Sequence, residues 1–143
     1  MMTVRDDHSR LPFFVYGTLR PGEINHSWLL RGRIATETPA VLHGALLFDG
    51  PGYPYAVSDP RGHVQGDVVR PVDDLYEDVL ADLDRLEEYT PGAADNLYER
   101  VVRDVRTYAG RTLPAWVYLA APAHERDLRA SGSPIHGGDW KHR

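Results

Sequence analysis

The chain of 143 residues contains no cysteine, which rules out disulfide staples, thiolate metal sites and a cysteine nucleophile, and fits a reducing compartment. Lysine is almost missing as well: of 16 basic residues, only Lys141 is not an arginine. The arginines are scattered and the formal net charge is -5, so the clustered positive charge that grips a phosphate backbone is lacking and no nucleic-acid partner is expected. No apolar run approaches the ~18 residues of a membrane span, and the polar start Met1–His8 has no apolar segment behind it. A cytoplasmic protein without a membrane partner is the expectation. A Gly-x-Ser-x-Gly elbow is absent, which leaves a serine hydrolase without local support. The histidines (His8, His26, His43, His63, His124, His136, His142) show no His-Glu-x-x-His or paired spacing, so no metal is expected and they read as surface groups. Trp28, Trp116 and Trp140 read as core or lid packing rather than as a base-stacking platform.

What remains has the size of a single domain able to bury its own core, residues 1–143 with an ordered part of about 11–140. The polar run Met1–Arg10 and the Gly/His-rich stretch from Ser131 read as loosely held ends. Leu11–Tyr16 is a short apolar run stopped by Gly17, the mark of a strand buried on both faces. A short helix around Asn25–Arg31 precedes strands at Ile34–Val41, Leu42–Phe48, Tyr55–Ser58 and Val64–Arg70. Turn formers at Asp49–Gly52 and Asp59–Gly62 separate the later ones. The clearest helix spans about Asp73–Glu88, with Asp73 or Asp74 as cap and Glu77 in capping-box spacing. Tyr98–Tyr108 and Thr112–Ala120 flank a short glycine-bearing connection and read as a hairpin. Many short strands and one strong helix predict an α+β domain built on a small, strongly curved sheet or barrel.

At ~100° per residue, Leu75, Leu86, Val79, Leu83, Tyr76 and Leu80 fall within an arc of roughly 140°, the core-facing stripe. Asp82, Asp84 and Glu88 fall outside it and read as the solvated face. Glu87 falls within it, between Tyr76 and Leu80. Burial and the negative end of the helix dipole both disfavour a carboxylate's charged form and raise its pKa, which suits general acid/base chemistry near neutrality. The other reading open to Glu87 is an outward turn, or a pair with Arg100 or Arg103. The loop Tyr16-Gly17-Thr18-Leu19-Arg20-Pro21-Gly22 has a similar ambiguity. Gly17 permits backbone angles that aim successive N–H groups into one concavity, yet an ordinary strand-to-turn junction has the same composition.

That loop, followed far downstream by Leu83-Asp84-Arg85-Leu86-Glu87, resembles the paired signature of the gamma-glutamylcyclotransferase-like family. Gly52-Tyr53-Pro54-Tyr55-Ala56 and Tyr98-Glu99-Arg100 are similar to two further family segments, as are Trp116-Val117-Tyr118 and Gly137-Gly138-Asp139-Trp140. The resemblance implies a small mixed β-barrel with flanking helices in which the loop and the glutamate face one cavity. It also implies catalysis by Glu87 and substrate binding by Tyr16, Gly17, Thr18, Leu19 and Tyr118, with no cofactor. The substrate would be a small gamma-glutamyl molecule cyclised to 5-oxoproline, and the protein a monomer or homodimer. A relative that trims a gamma-glutamyl protecting group from a natural product fits the same pattern; a non-catalytic small-ligand module that keeps the fold is the alternative. One position departs from the family, which usually has glycine directly after the glutamate, where this chain has Glu88.

Overall fold

A computed structural model describes residues 10–142. The elements run β1 Phe13–Val15, α1 Ile24–Leu29, β2 Ile34–Asp49, β3 Tyr55–Pro71, a 3-10 turn Asp73–Leu75 leading into α2 Tyr76–Leu86, β4 Tyr98–Thr107, β5 Thr112–Ala120, α3 Pro122–Ser131, β6 Ser133–Pro134 and a last 3-10 turn Trp140–His142. β1 pairs antiparallel with β3 and parallel with β5, and β5 with β4, β4 with β2 and β2 with β3 are antiparallel. The pairing returns to its start and closes a five-stranded barrel, the α+β architecture expected of the chain. Among the described residues, no helix is long and apolar enough to cross a membrane.

Strand periodicity explains the double burial of β1. Phe14 and Tyr16 join Val68, Val117, Leu119, Ala56 and Val64 in the barrel interior. Phe13 and Val15 join Val57, Val69, Tyr118 and the helical residues Val79 and Leu83 in the layer outside it. On β2 the interior set switches from Ala40 and Leu42 to Ala45 and Leu47, a change of parity that would turn half the strand inside out. Gly44, at φ 83, absorbs it in a bulge between His43 and Ala45. The facing stretch Asp59–Gly62 therefore does not break the chain into two strands as the turn formers suggest. β3 continues through it, with the Asp59 carboxylate accepting from the Arg61 backbone N–H at 2.9 Å. Likewise Ile34–Val41 and Leu42–Phe48 are one strand, bent at the bulge.

Three further expectations are corrected. No side chain caps α2; the 3-10 turn before it satisfies the opening N–H groups with backbone carbonyls, as Leu75 N–H donates to Val72 O at 3.0 Å. The helix ends at Leu86, not at Glu88. The stretch from Ser131 is anchored: Ile135 and Trp140 are buried, and Gln65 N–H donates to Gly138 O at 2.7 Å. α3 docks on the outer layer through Leu128.

Arg20 ties these parts together. Its Nε donates to Asp67 Oδ2 at 2.8 Å and its Nη1 to Asp139 Oδ1 at 2.9 Å, joining the loop after β1 to β3 and to the C-terminal stretch. Asp67 is buried, so removing its partner leaves a carboxylate stranded. Arg20→Met is expected to cost about 2–3 kcal/mol in urea unfolding, with most of the loss recovered when Asp67→Asn is added.

Candidate active site

The loop after β1 is shaped by one close approach. A Cβ on Gly17 would lie 2.7 Å from Pro54 Cδ, so only glycine lets the Tyr53-Pro54 segment pack against the loop. Arg20 N–H to Gly17 O at 3.1 Å closes a turn, and Leu19 is buried as its anchor. Asn25, at the start of α1, grips Thr18 twice: its Nδ2 donates to Oγ1 at 2.7 Å and its backbone N–H to Thr18 O at 2.9 Å. The N–H groups of Gly17, Thr18 and Leu19 find no acceptor among the described residues. Three successive donors without a protein partner beside a cavity form a place for an anion.

Helix α2 delivers the second half of the site. Tyr89 N–H donates to Asp84 O at 2.8 Å and Glu88 N–H to Arg85 O at 3.1 Å, the bond pair of a Schellman closure. The residue after the cap must then adopt left-handed backbone, and Glu88 does so at φ 53. This is the position where the family resemblance leads one to expect glycine. The closure sets Glu87 as the C-cap of the helix, bordering a cavity of about 290 Å³. Phe14, Val15, Ile24, Asn25, Gly52, Tyr53, Pro54, Leu86, Glu88, Leu97 and Tyr98 share its walls with Tyr16, Gly17, Thr18, Leu19 and Tyr118. All six residues singled out from sequence, Glu87 included, are thus brought to one cavity.

The Glu87 carboxylate makes no hydrogen bond or ion pair among the described residues. Arg100 does not reach it; its Nε donates to Asp84 Oδ1 at 2.9 Å while its guanidinium lies over the rings of Tyr89 and Trp116. Arg103 bonds the carbonyl of Val102 instead. Burial, and secondarily the charge of Asp84, push Glu87 up to about 7. Asp84 is therefore not simply part of a solvated face: it takes Arg100 and the Tyr118 hydroxyl, the latter at 2.5 Å. Nor is Glu88, whose exposed side chain borders the cavity. Three of the four phenols of the walls are committed as donors, Tyr16 to the Tyr118 carbonyl, Tyr98 to the Pro54 carbonyl at 2.8 Å and Tyr118 to Asp84. Burial keeps all three protonated.

Residues 13–142 match the family described as gamma-glutamyl cyclotransferase, AIG2-like. The chain belongs to this family. A relative from Niallia circulans, named gamma-L-glutamyl-butirosin B gamma-glutamyl cyclotransferase, is 34% identical over 129 residues, covering 90% of this chain and 74% of the relative. Among solved structures, an Arabidopsis thaliana protein superposes with a TM-score of 0.63 at 26% identity, covering 96% of this chain and 73% of that one. A mouse AIG2-like protein superposes with a TM-score of 0.61 at 23% identity, covering 82% and 84%, and shares the fold. Family membership accounts for the barrel. The additions to the site made by the structure are Asn25, Asp84 and Glu88. Asn25 carries no pattern that marks it in the sequence, whereas Asp84 sits within the Leu-Asp-x-x-Glu signature.

A carboxyl group whose folded pKa is raised favours the folded state most while it is protonated. Its contribution is full below the ordinary value of 4.5 and is lost as pH rises through about 7. With the group partly open to the cavity, ionised Glu87 costs the fold about 2 kcal/mol. Glu87→Gln is expected to raise the melting temperature at pH 8 by roughly 6 °C and to change it little at pH 4, measured by thermal unfolding at both values.

Proposed function

We propose that the protein is a gamma-glutamyl cyclotransferase that converts a small gamma-glutamyl amide to 5-oxoproline and a free amine, with Glu87 as its acid/base residue. The observation that carries this reading is the unpaired Glu87 carboxylate, with a pKa near 7, in the same cavity as the unpaired N–H groups of Gly17, Thr18 and Leu19. Support for a gamma-glutamyl substrate comes from the family and from the Niallia circulans relative, whose name specifies gamma-L-glutamyl-butirosin B.

In the reaction, the substrate's α-amine attacks its own side-chain carbonyl. A C–N bond forms, closing a five-membered lactam, and the C–N bond to the departing amine breaks. No water is consumed. Because nucleophile and electrophile are tethered, the protein's work is conformational and protonic. The α-carboxylate, or the oxyanion that develops at the carbonyl, is bound by the loop N–H groups. Glu87 takes a proton from the α-ammonium, whose ordinary pKa of about 8 lies close to its own, and returns it to the leaving nitrogen. Tyr16 and Tyr118, with their hydroxyl donors held by the protein, contribute shape and the acceptor side of the phenol oxygen. A pure binding module gains little from a carboxylate kept in apolar surroundings without a counter-ion.

Incubation with a panel of gamma-glutamyl amides, followed by mass spectrometry for 5-oxoproline, is expected to give product with the wild type. Glu87→Gln should lower kcat by about 10²–10⁴, while Glu88→Gln keeps turnover. The kcat/KM of the wild type should rise with pH through an apparent pKa near 7. A silent panel, or an acid limb near 4.5, would overturn the assignment.

A further inference from the structure

Glu88 is the only residue other than glycine, among those described, with left-handed backbone. A helix closure of this type needs that conformation, and glycine adopts it without strain. The fold draws no return from a glutamate here: the side chain makes no hydrogen bond or ion pair among the described residues. What it does is border the mouth of the cavity, exposed to solvent. Among the described residues, the cavity wall holds two carboxylates, Glu87 and Glu88, and no lysine, arginine or histidine. The C-terminal end of α2, which reaches the wall through Leu86, adds negative partial charge. In the same cavity lining, Ile24 is 72%, Leu97 46% and Tyr53 38% exposed, apolar surface left open to solvent among the described residues.

We propose that Glu88 selects the leaving group, an amine that carries a second, positively charged amino group a few carbons from the scissile amide. That group seats against Glu88 while its carbon chain lies on Ile24, Tyr53 and Leu97. The same charge disfavours an α-amino acid as leaving group, because its free carboxylate meets Glu88 and the helix end. This inference rests on the cyclotransferase reading of the cavity and deepens it. A pair at a solvent-open rim changes affinity by about threefold to fivefold and weakens as salt screens it.

The test compares gamma-glutamyl amides of 1,4-diaminobutane, of n-pentylamine, which has the same length without the charge, and of norleucine. Wild-type kcat/KM is expected to fall in that order by about threefold to fivefold per step, with the spread shrinking in high salt. Glu88→Gln should collapse the order toward equality. Glu88→Gly should do the same and also raise the melting temperature by ~3 °C as the backbone strain is relieved. A wild type with no preference for the diamine, or a Glu88→Gln variant that keeps the wild-type order, overturns the proposal and leaves the cyclotransferase reading standing. If no amide yields 5-oxoproline, the cyclotransferase reading fails. Calorimetric binding of the same three amides to Glu87→Gln then decides the charge preference by itself, with tighter diamine binding supporting it and equal binding overturning it.

Discussion

The bond from Arg100 Nε to Asp84, at 2.9 Å, engages this guanidinium with Asp84 and leaves Glu87 without an ion pair among the described residues. Arg100 and Tyr118 are cross-strand partners in the β4–β5 ladder, so their side chains leave the sheet on the same face and meet Asp84 together. The guanidinium also lies over the rings of Trp116 and Tyr89, which help to hold it there. One helical turn of α2 separates Asp84 from Glu87, so fixing the first carboxylate fixes the second. An arginine paired with Glu87 would favour its charged form and oppose the rise that burial produces. The barrel register thus bears on the surroundings of Glu87 through a residue that is not part of the cavity wall.

The other side of the cavity depends on sterics rather than charge. Gly17 allows Pro54 to pack against the loop, and Pro54 in turn offers the carbonyl that takes the Tyr98 hydroxyl. The loop is then held from three directions: Asn25 on Thr18, Leu19 buried beneath, and Arg20 bridging Asp67 and Asp139. Rigid support of this kind lets three N–H groups stay without protein acceptors, an arrangement a mobile loop would relax by folding onto itself. The strongest ion pairs of the loop lie outside the cavity and hold the unpaired groups within it in place.

Much of this was legible in the residues. The apolar arc of α2 with Glu87 inside it, and the apolar β1 handing over to Gly17, follow from periodicities that depend only on local geometry. The Leu-Asp-x-x-Glu spacing contains both carboxylates, but the wheel assigns Asp84 to solvent because a wheel knows nothing of the sheet that packs beside it. Asp59–Gly62 reads as a turn by composition, and its turn formers are put to use in a bulge that only the parity of β2 explains. The C-terminal stretch reads as loose because its glycines and histidines carry no period. Ile135 and Trp140 secure it through burial, a long-range effect invisible to any window of sequence.

The two adjacent glutamates at the end of α2 make the division between fold and function concrete. Both are unfavourable to the folded state, Glu87 through lost hydration and Glu88 through backbone strain. Neither is compensated by a partner of its own among the described residues. The burden falls on α2, whose Val79 and Leu83 are fully buried against the barrel and whose Asp84 is clamped by the β4–β5 hairpin. A helix docked this firmly by its middle can tolerate two unfavourable residues at its end. Tolerance explains how they persist; among the described residues, packing and pairing supply no reason for either side chain, which is the ground on which both are proposed to act on what enters the cavity they border.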